Sequence, residues 1–106
     1  MKKTQKVLTQ KEIQKIIKKF DDWNIDTKKT KFTRTVTFDK HIDALIFIAR
    51  VTVNAEILNH HPDVTFTYQR VKLVTTTHEV KGLTKLDVSL MDRVEHIASS
   101  QKVDKD

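Results

Sequence analysis

Six side chains able to move protons are grouped in the second half of the sequence: Glu56, His60, His61, His78, Glu79 and Asp87. An imidazole with an unperturbed pKa of about 6.5 takes and gives protons near neutrality, so a cluster of them suits proton shuffling. Positioned acid–base groups typically contribute roughly 10²–10⁴ in rate. That fits a reaction needing proton transfers but no covalent intermediate. Glu56 stands four residues before His60, so the two share a face if a helix runs through them, and its carboxylate can fix a tautomer or orient a substrate. Other readings of these residues stand beside this one. His60 and His61 at a helix end favour the negative pole of its dipole, Asp87 fits a helix cap, and Trp23 fits a core aromatic. Three histidines with Glu56 also offer a zinc set of the His₂Glu kind, although no H-E-x-x-H occurs and adjacent His60 and His61 diverge on regular structure. The absence of cysteine excludes thiol nucleophiles, disulfides and iron–sulfur sites. There is no Gly-rich phosphate loop, no G-x-S-x-G and no dinucleotide fingerprint.

The elements that must position these groups are found by periodicity, because one Gly and one Pro leave little punctuation. Thr9 precedes Glu12 at the spacing of a capping box, and Ile13, Ile16, Ile17 and Phe20 follow on one helical face until Asp21 and Asp22. From residue 23 to 38 the period is two, with Phe32, Val36 and Phe38 opposite Thr33, Thr35 and Thr37. This is a half-buried antiparallel strand with a short one before it near 23–25. A long second helix is expected over about 40–59, with Asp39 as its N-cap. Ile42, Leu45, Ile46, Ala49, Val53 and Ile57 form one apolar stripe on it; Ala44, Phe47, Ile48, Val51, Ala55 and Leu58 form another on the opposite side. Only the strip of Asp43, Arg50 and Asn54 is polar. One stripe can cover the sheet, so the other is expected to meet a second subunit.

Beyond Pro62, Val64, Phe66 and Tyr68 form a strand face, and Val71, Leu73 and Thr75 belong to the next strand, with a turn near 69–70. Gly82 marks a turn and Thr84 with Asp87 repeats the capping spacing. Leu90, Met91, Val94 and Ile97 give a third helix its apolar face, with fraying expected after Ser99. The order is α-β-β-α-β-β-α: an α+β fold with helices packed on one face of a four-stranded antiparallel sheet. If the second helix packs on that sheet, its end brings His60 and His61 near His78.

A length of 106 residues allows one domain, with 1–6 and 99–106 expected as flexible tails. The formal charge of +6, from 20 basic and 14 acidic residues, permits an anionic partner. However, Lys2, Lys3, Lys6, Lys11, Lys15, Lys18 and Lys19 crowd one end without interleaved aromatics. They read as a solvated tail and helix face, so nucleic-acid binding is not expected. The longest apolar stretch, 44–49, is far below the roughly 20 residues of a membrane span, and the basic start runs into no apolar segment. A soluble cytoplasmic domain is expected.

The segment AEILNHHPDVTFTYQRVKLVTTTHEVKGLTKLD resembles the signature of the pterin-4a-carbinolamine dehydratases. That family carries a Glu, three residues, His-His-Pro, an aromatic further on, Thr-His, Gly-Leu-Ser/Thr and an Asp. Here these are Glu56, His60-His61-Pro62, Tyr68, Thr77-His78, Gly82-Leu83-Thr84 and Asp87, with Trp23 matching an early Trp. The resemblance runs from about residue 8 to residue 98 and needs no insertion between motif residues. It implies the α+β fold read above and assembly into dimers or tetramers through the second helix. It also implies elimination of water from 4a-hydroxytetrahydropterin to the quinonoid dihydropterin, in tetrahydrobiopterin recycling, with no metal or organic cofactor. By the same resemblance His60 and His78 are acid–base groups, and His61 at the catalytic centre is chiefly a substrate contact. Asn59, Pro62, Thr76, Thr77 and Glu79 would line the pterin site, while Glu56, Trp23 and Asp87 would support or border it. Animal members also serve as dimerisation partners of a homeodomain transcription factor, so a non-catalytic scaffold is the alternative. This chain departs from the family at Val64, where many members have Trp, and at Lys81, where a small residue is usual. Lys81 adds positive charge near the site mouth and bears on which pterin side chain is tolerated.

Overall fold

Thr9 starts the first helix as its spacing predicts. Its hydroxyl accepts from the Glu12 amide at 3.1 Å, and Glu12 Oε1 accepts from the Thr9 amide at 2.8 Å. Helix α1 (Gln10–Lys19) follows in this computed structural model, which describes residues 6–102. Four antiparallel strands form one sheet in the order β1-β2-β4-β3: β1 (Asn24–Ile25), β2 (Phe32–Thr37), β3 (Asp63–Thr67) and β4 (Arg70–Thr75). The register pairs Phe32 with Thr75 and Val36 with Val71, which puts the buried side chains of the two central strands on one face. Helices α2 (His41–Leu58) and α3 (Lys85–Lys102) supply Phe47, Val51, Leu90, Met91 and Val94 to the core they share with that face.

The two stripes of α2 separate as their angular positions require. Ala44, Phe47, Val51 and Ala55 are buried, whereas Ile42, Val53 and Ile57 are 53%, 59% and 65% exposed and Leu45 and Ile46 are also exposed. The polar strip between them ties α2 to α3. Arg50 donates to Gln101 Oε1 and Ser100 Oγ, Arg93 donates to Asn54 Oδ1, and Gln101 Nε2 donates to the Asp43 carbonyl. Those bonds hold the last turns of α3, which therefore runs through 99–102 as helix instead of fraying. Of the two expected tails, 1–5 and 103–106 lie outside the described residues.

Four boundaries differ from the sequence reading, the last three because left-handed backbone is carried by residues other than glycine. The α2 N-cap is Lys40, not Asp39, and its carbonyl takes the Asp43 and Ala44 amides without a side-chain cap. The helix closes at Leu58 because Asn59 turns left-handed (φ 54°), and the His60 and Asn59 amides bond back to the Ala55 and Glu56 carbonyls. Tyr68 is not a strand residue; at φ 50° it forms the two-residue hairpin turn with Gln69. The turn near Gly82 is made by Lys81 (φ 53°), after a short 3₁₀ turn over His78–Val80. Gly82 itself pairs with Thr77 in an isolated bridge.

Candidate active site

His60 and His61 leave the end of α2 in opposite directions, as adjacent residues on extended backbone must. His60 points inward and is 8% exposed; its Nε2 donates to Asp87 Oδ1 at 2.8 Å. His61 points outward, and its Nε2 lies 2.5 Å from Glu56 Oε2. The partner of Glu56 is thus His61 and not His60, because the left-handed turn at Asn59 ends the helix before residue 60 can share its face.

Asp87 sits in the first turn of α3, fully buried, and accepts four hydrogen bonds. Its Oδ1 takes His60 Nε2 and Thr75 Oγ1 (2.6 Å); its Oδ2 takes Thr77 Oγ1 (2.7 Å) and the Thr84 amide (2.9 Å). Burial alone would push this carboxyl up. The bonds from His60, Thr75, Thr77 and the Thr84 amide outweigh it and hold the group below its usual value. An ionised carboxylate is acceptor-only, so the hydrogen on His60 Nε2 is fixed whether the ring is neutral or charged. His60 Nδ1 has no hydrogen-bond partner among the described residues, yet no buried side-chain nitrogen or oxygen there lacks one. That nitrogen therefore reaches the solvent-filled side of the ring.

The side it reaches is a cleft of about 330 Å³ lined by Asn59, His60, His61, Thr76, His78 and Glu79. Three imidazoles, one from β4's extension and two from the α2 exit, border one space. Asn59 is there because it makes the helix-closing turn, and His78 and Glu79 because the 3₁₀ turn follows the last strand. Thr76 lines the wall with its hydroxyl committed to the Thr30 carbonyl at 2.6 Å and the Gly82 carbonyl at 3.3 Å.

The remaining expected residues lie elsewhere. Glu56 and Asp87 stand behind His61 and His60, in contact with the rings and not with the cleft. Thr77 is buried against Thr84 and Asp87, and Pro62 is half-buried beside His61; neither lines the cleft. Trp23 is a core residue, 4% exposed, whose indole N–H donates to Glu95 Oε2 at 2.7 Å while Arg34 binds the same oxygen. Among the described residues no group of three or more His, Cys, Asp or Glu side chains is placed to hold a metal ion. The sequence reading paired Asp87 with Thr84 through the capping spacing but missed Thr75 as its second threonine partner on Oδ1. The signal was present: in an extended run of three threonines, Thr75 and Thr77 must share the inward face, and buried hydroxyls need a partner.

A family model for pterin 4 alpha carbinolamine dehydratase matches residues 6–97. A Nostoc punctiforme protein bearing the name pterin-4-alpha-carbinolamine dehydratase provisionally is 35% identical over 91 residues, 86% of this chain and 96% of its own length. The crystal structure of a transcriptional coactivator/pterin dehydratase from Brucella melitensis superposes with a TM-score of 0.83 at 30% identity, over 88% of this chain and 99% of that one. A pterin dehydratase-like protein described as a RuBisCO assembly factor in the alpha-carboxysome shares the fold, with a TM-score of 0.63 at 15% identity, over 73% of this chain and 89% of that one.

Proposed function

The chain belongs to the pterin 4 alpha carbinolamine dehydratase family, and from that membership we propose that it is a hydro-lyase removing water from 4a-hydroxytetrahydropterin to give the quinonoid dihydropterin. In this elimination the C4a–O bond breaks and the departing hydroxyl takes a proton to leave as water. N5 loses its proton as the C4a–N5 double bond forms. No electrons leave the substrate, so the reaction asks for two proton-handling groups and needs neither a metal nor an organic cofactor. The observation that supports this reading most is the buried Asp87–His60 pair, which leaves His60 Nδ1 open on a cleft also lined by His61 and His78. His60 and His78 are the acid–base groups. His61, steadied by Glu56, contacts substrate beside Asn59, Thr76 and Glu79. The reading places the protein in the cytoplasm, in recycling of a pterin cofactor; no helix of the described residues is long and apolar enough to cross a membrane. The test is an assay with enzymatically generated 4a-hydroxytetrahydropterin. Acceleration over the uncatalysed dehydration is expected, and a rate equal to that background overturns the reading.

A second reading, a partner-binding role of the kind named for the two structural relatives, is favoured by the outer stripe of α2. Ile42, Leu45, Ile46, Val53 and Ile57 are each at least 45% exposed on one side of one helix, and fully burying such a side chain stabilises by about 1.5–3 kcal/mol. A contiguous stripe of this kind marks an interface. Assembly of this chain into a homodimer or homotetramer through α2 is compatible with catalysis as well as with a scaffold role. Light scattering is expected to give a dimer or tetramer mass, and Val53→Glu with Ile57→Glu to shift it towards the monomer. A wild-type monomer at tens of micromolar removes α2-mediated assembly.

A further inference from the structure

Beside the histidine cleft, and sharing Thr76 and His78 with it, lies a second cleft of about 360 Å³ lined otherwise by Lys28, Thr30, Lys31 and Lys81. The two shared residues join the clefts into one trough, with His60 and His61 at one end, the three lysines at the other and His78 between them. Its lysine end has two walls. One is the loop from 26 to 31, tied into a fixed turn by Asp26, whose carboxylate accepts from the Thr30 amide, the Thr30 hydroxyl and the Lys31 amide at 2.6, 2.7 and 2.9 Å. The other is Lys81, held left-handed at the end of the 3₁₀ turn. Thr76 joins the walls by bonding both the Thr30 and Gly82 carbonyls. The Asp26 carboxylate keeps its charge but faces the amides and hydroxyl of its own loop and does not line this cleft, and Glu79 lines the histidine end only. None of Lys28, Lys31 and Lys81 has an ion-pair partner among the described residues. Three lysines against the one carboxylate of Asp26, on walls that adjoin the histidine cleft, leave a net positive site for negative charge.

We infer that the lysine end of the trough is a subsite for an anionic side chain of the pterin, a phosphate ester or a carboxylate, with the ring at the histidine end. The inference rests on the pterin reading of the site. A lysine ammonium binds such groups as a point charge, so the gain is steep in ionic strength. The subsite sets the substrate class: a pterin with an anionic tail is preferred over the same ring with a neutral polyol tail.

The test measures equilibrium binding by pterin fluorescence in the full-length protein, at low and at 0.5 M salt. Three stable 6-substituted pterins are compared: a neutral dihydroxypropyl tail, the same tail phosphorylated, and a glutamate-bearing tail. The expected result is a Kd about tenfold lower for at least one anionic ligand at low salt, with the phosphate and glutamate arms showing which anion is taken. High salt is expected to narrow that ratio. Lys31→Gln with Lys81→Gln should bring it close to one, and Lys31→Arg with Lys81→Arg should retain it. Equal affinity for all three ligands in the wild type overturns the subsite, as does a preference indifferent to the Gln substitutions. The dehydration assay is run in parallel. Binding preference without turnover sinks the dehydratase reading and keeps the subsite, turnover without preference does the reverse, and no pterin binding at all removes both.

Discussion

Replacing His60 with alanine is expected to cut the enzyme-accelerated dehydration by about 10²–10³-fold, within the usual contribution of one positioned acid–base group. The side chain is 8% exposed and its Nε2 is held by Asp87, so the ring presents Nδ1 to the cleft in one orientation. The substitution also strips the buried Asp87 carboxylate of one charge-assisted donor while leaving Thr75, Thr77 and the Thr84 amide in place. Folding should therefore survive with a loss of about 1–3 kcal/mol. His78→Ala is expected to cost activity on a similar scale with little effect on stability, since His78 is exposed and its ring makes no hydrogen bond or ion pair among the described residues. Progress curves for the two variants, set against thermal melts, separate the effects. Wild-type rates in both variants would remove the mechanism.

The second large effect is expected from Asp87→Asn, and its sign follows from counting donors. The Thr84 amide is a fixed donor to Oδ2, so the oxygen of the carboxamide must take that position. Its NH₂ then faces His60 Nε2 and Thr75 Oγ1, both of which donate to Oδ1 in the wild type. The threonine hydroxyl can rotate. The imidazole can answer only by moving its hydrogen to Nδ1, which turns the cleft-facing nitrogen from acceptor into donor. A fall in kcat of at least about 10²-fold is expected, in line with the cost of a wrong tautomer in other histidine–carboxylate pairs, and nitrogen NMR should find the His60 tautomer inverted. Stability carries a second signature. Because the carboxyl of Asp87 is held below its ordinary value of 3.8, it stabilises the fold fully above that pH and progressively less as pH falls through the lower folded value. Asparagine does not titrate. The stability gap between wild type and Asp87→Asn should thus be widest near neutrality and close on acidification below about pH 4; a gap independent of pH would mean that Asp87 does not carry the charge assigned to it.

Asp87 also illustrates how much of the site was legible in the sequence. Its spacing from Thr84 reads as a capping box and, by resemblance, as a site residue, and one carboxylate does both: Oδ2 caps the Thr84 amide while Oδ1 holds His60. The two stripes of α2 were legible because each recurs at helical spacing and nothing in the chain interferes with it. Trp23 shows the limit of motif reading: a matched family residue belongs to the core, bonded to Glu95, which lies 72 positions away and leaves no local pattern. The turns were hard for a different reason. With a single Gly, the chain places Lys29, Asn59, Tyr68 and Lys81 at positive φ. Only Asn59 is of a type that commonly accepts it. The partner of Glu56 was missed on that account, since a helix running one residue further would have turned His60 towards it.

A crystal structure with a bound pterin is the decisive test of how these side chains meet the substrate. The bicyclic ring is expected in the cleft between His60 and His78, with His60 Nδ1 and the His78 ring within about 4 Å of the C4a and N5 edge. A ring bound outside that cleft, or a His60 whose Nδ1 faces away from it, would remove His60 and His78 as the acid–base groups.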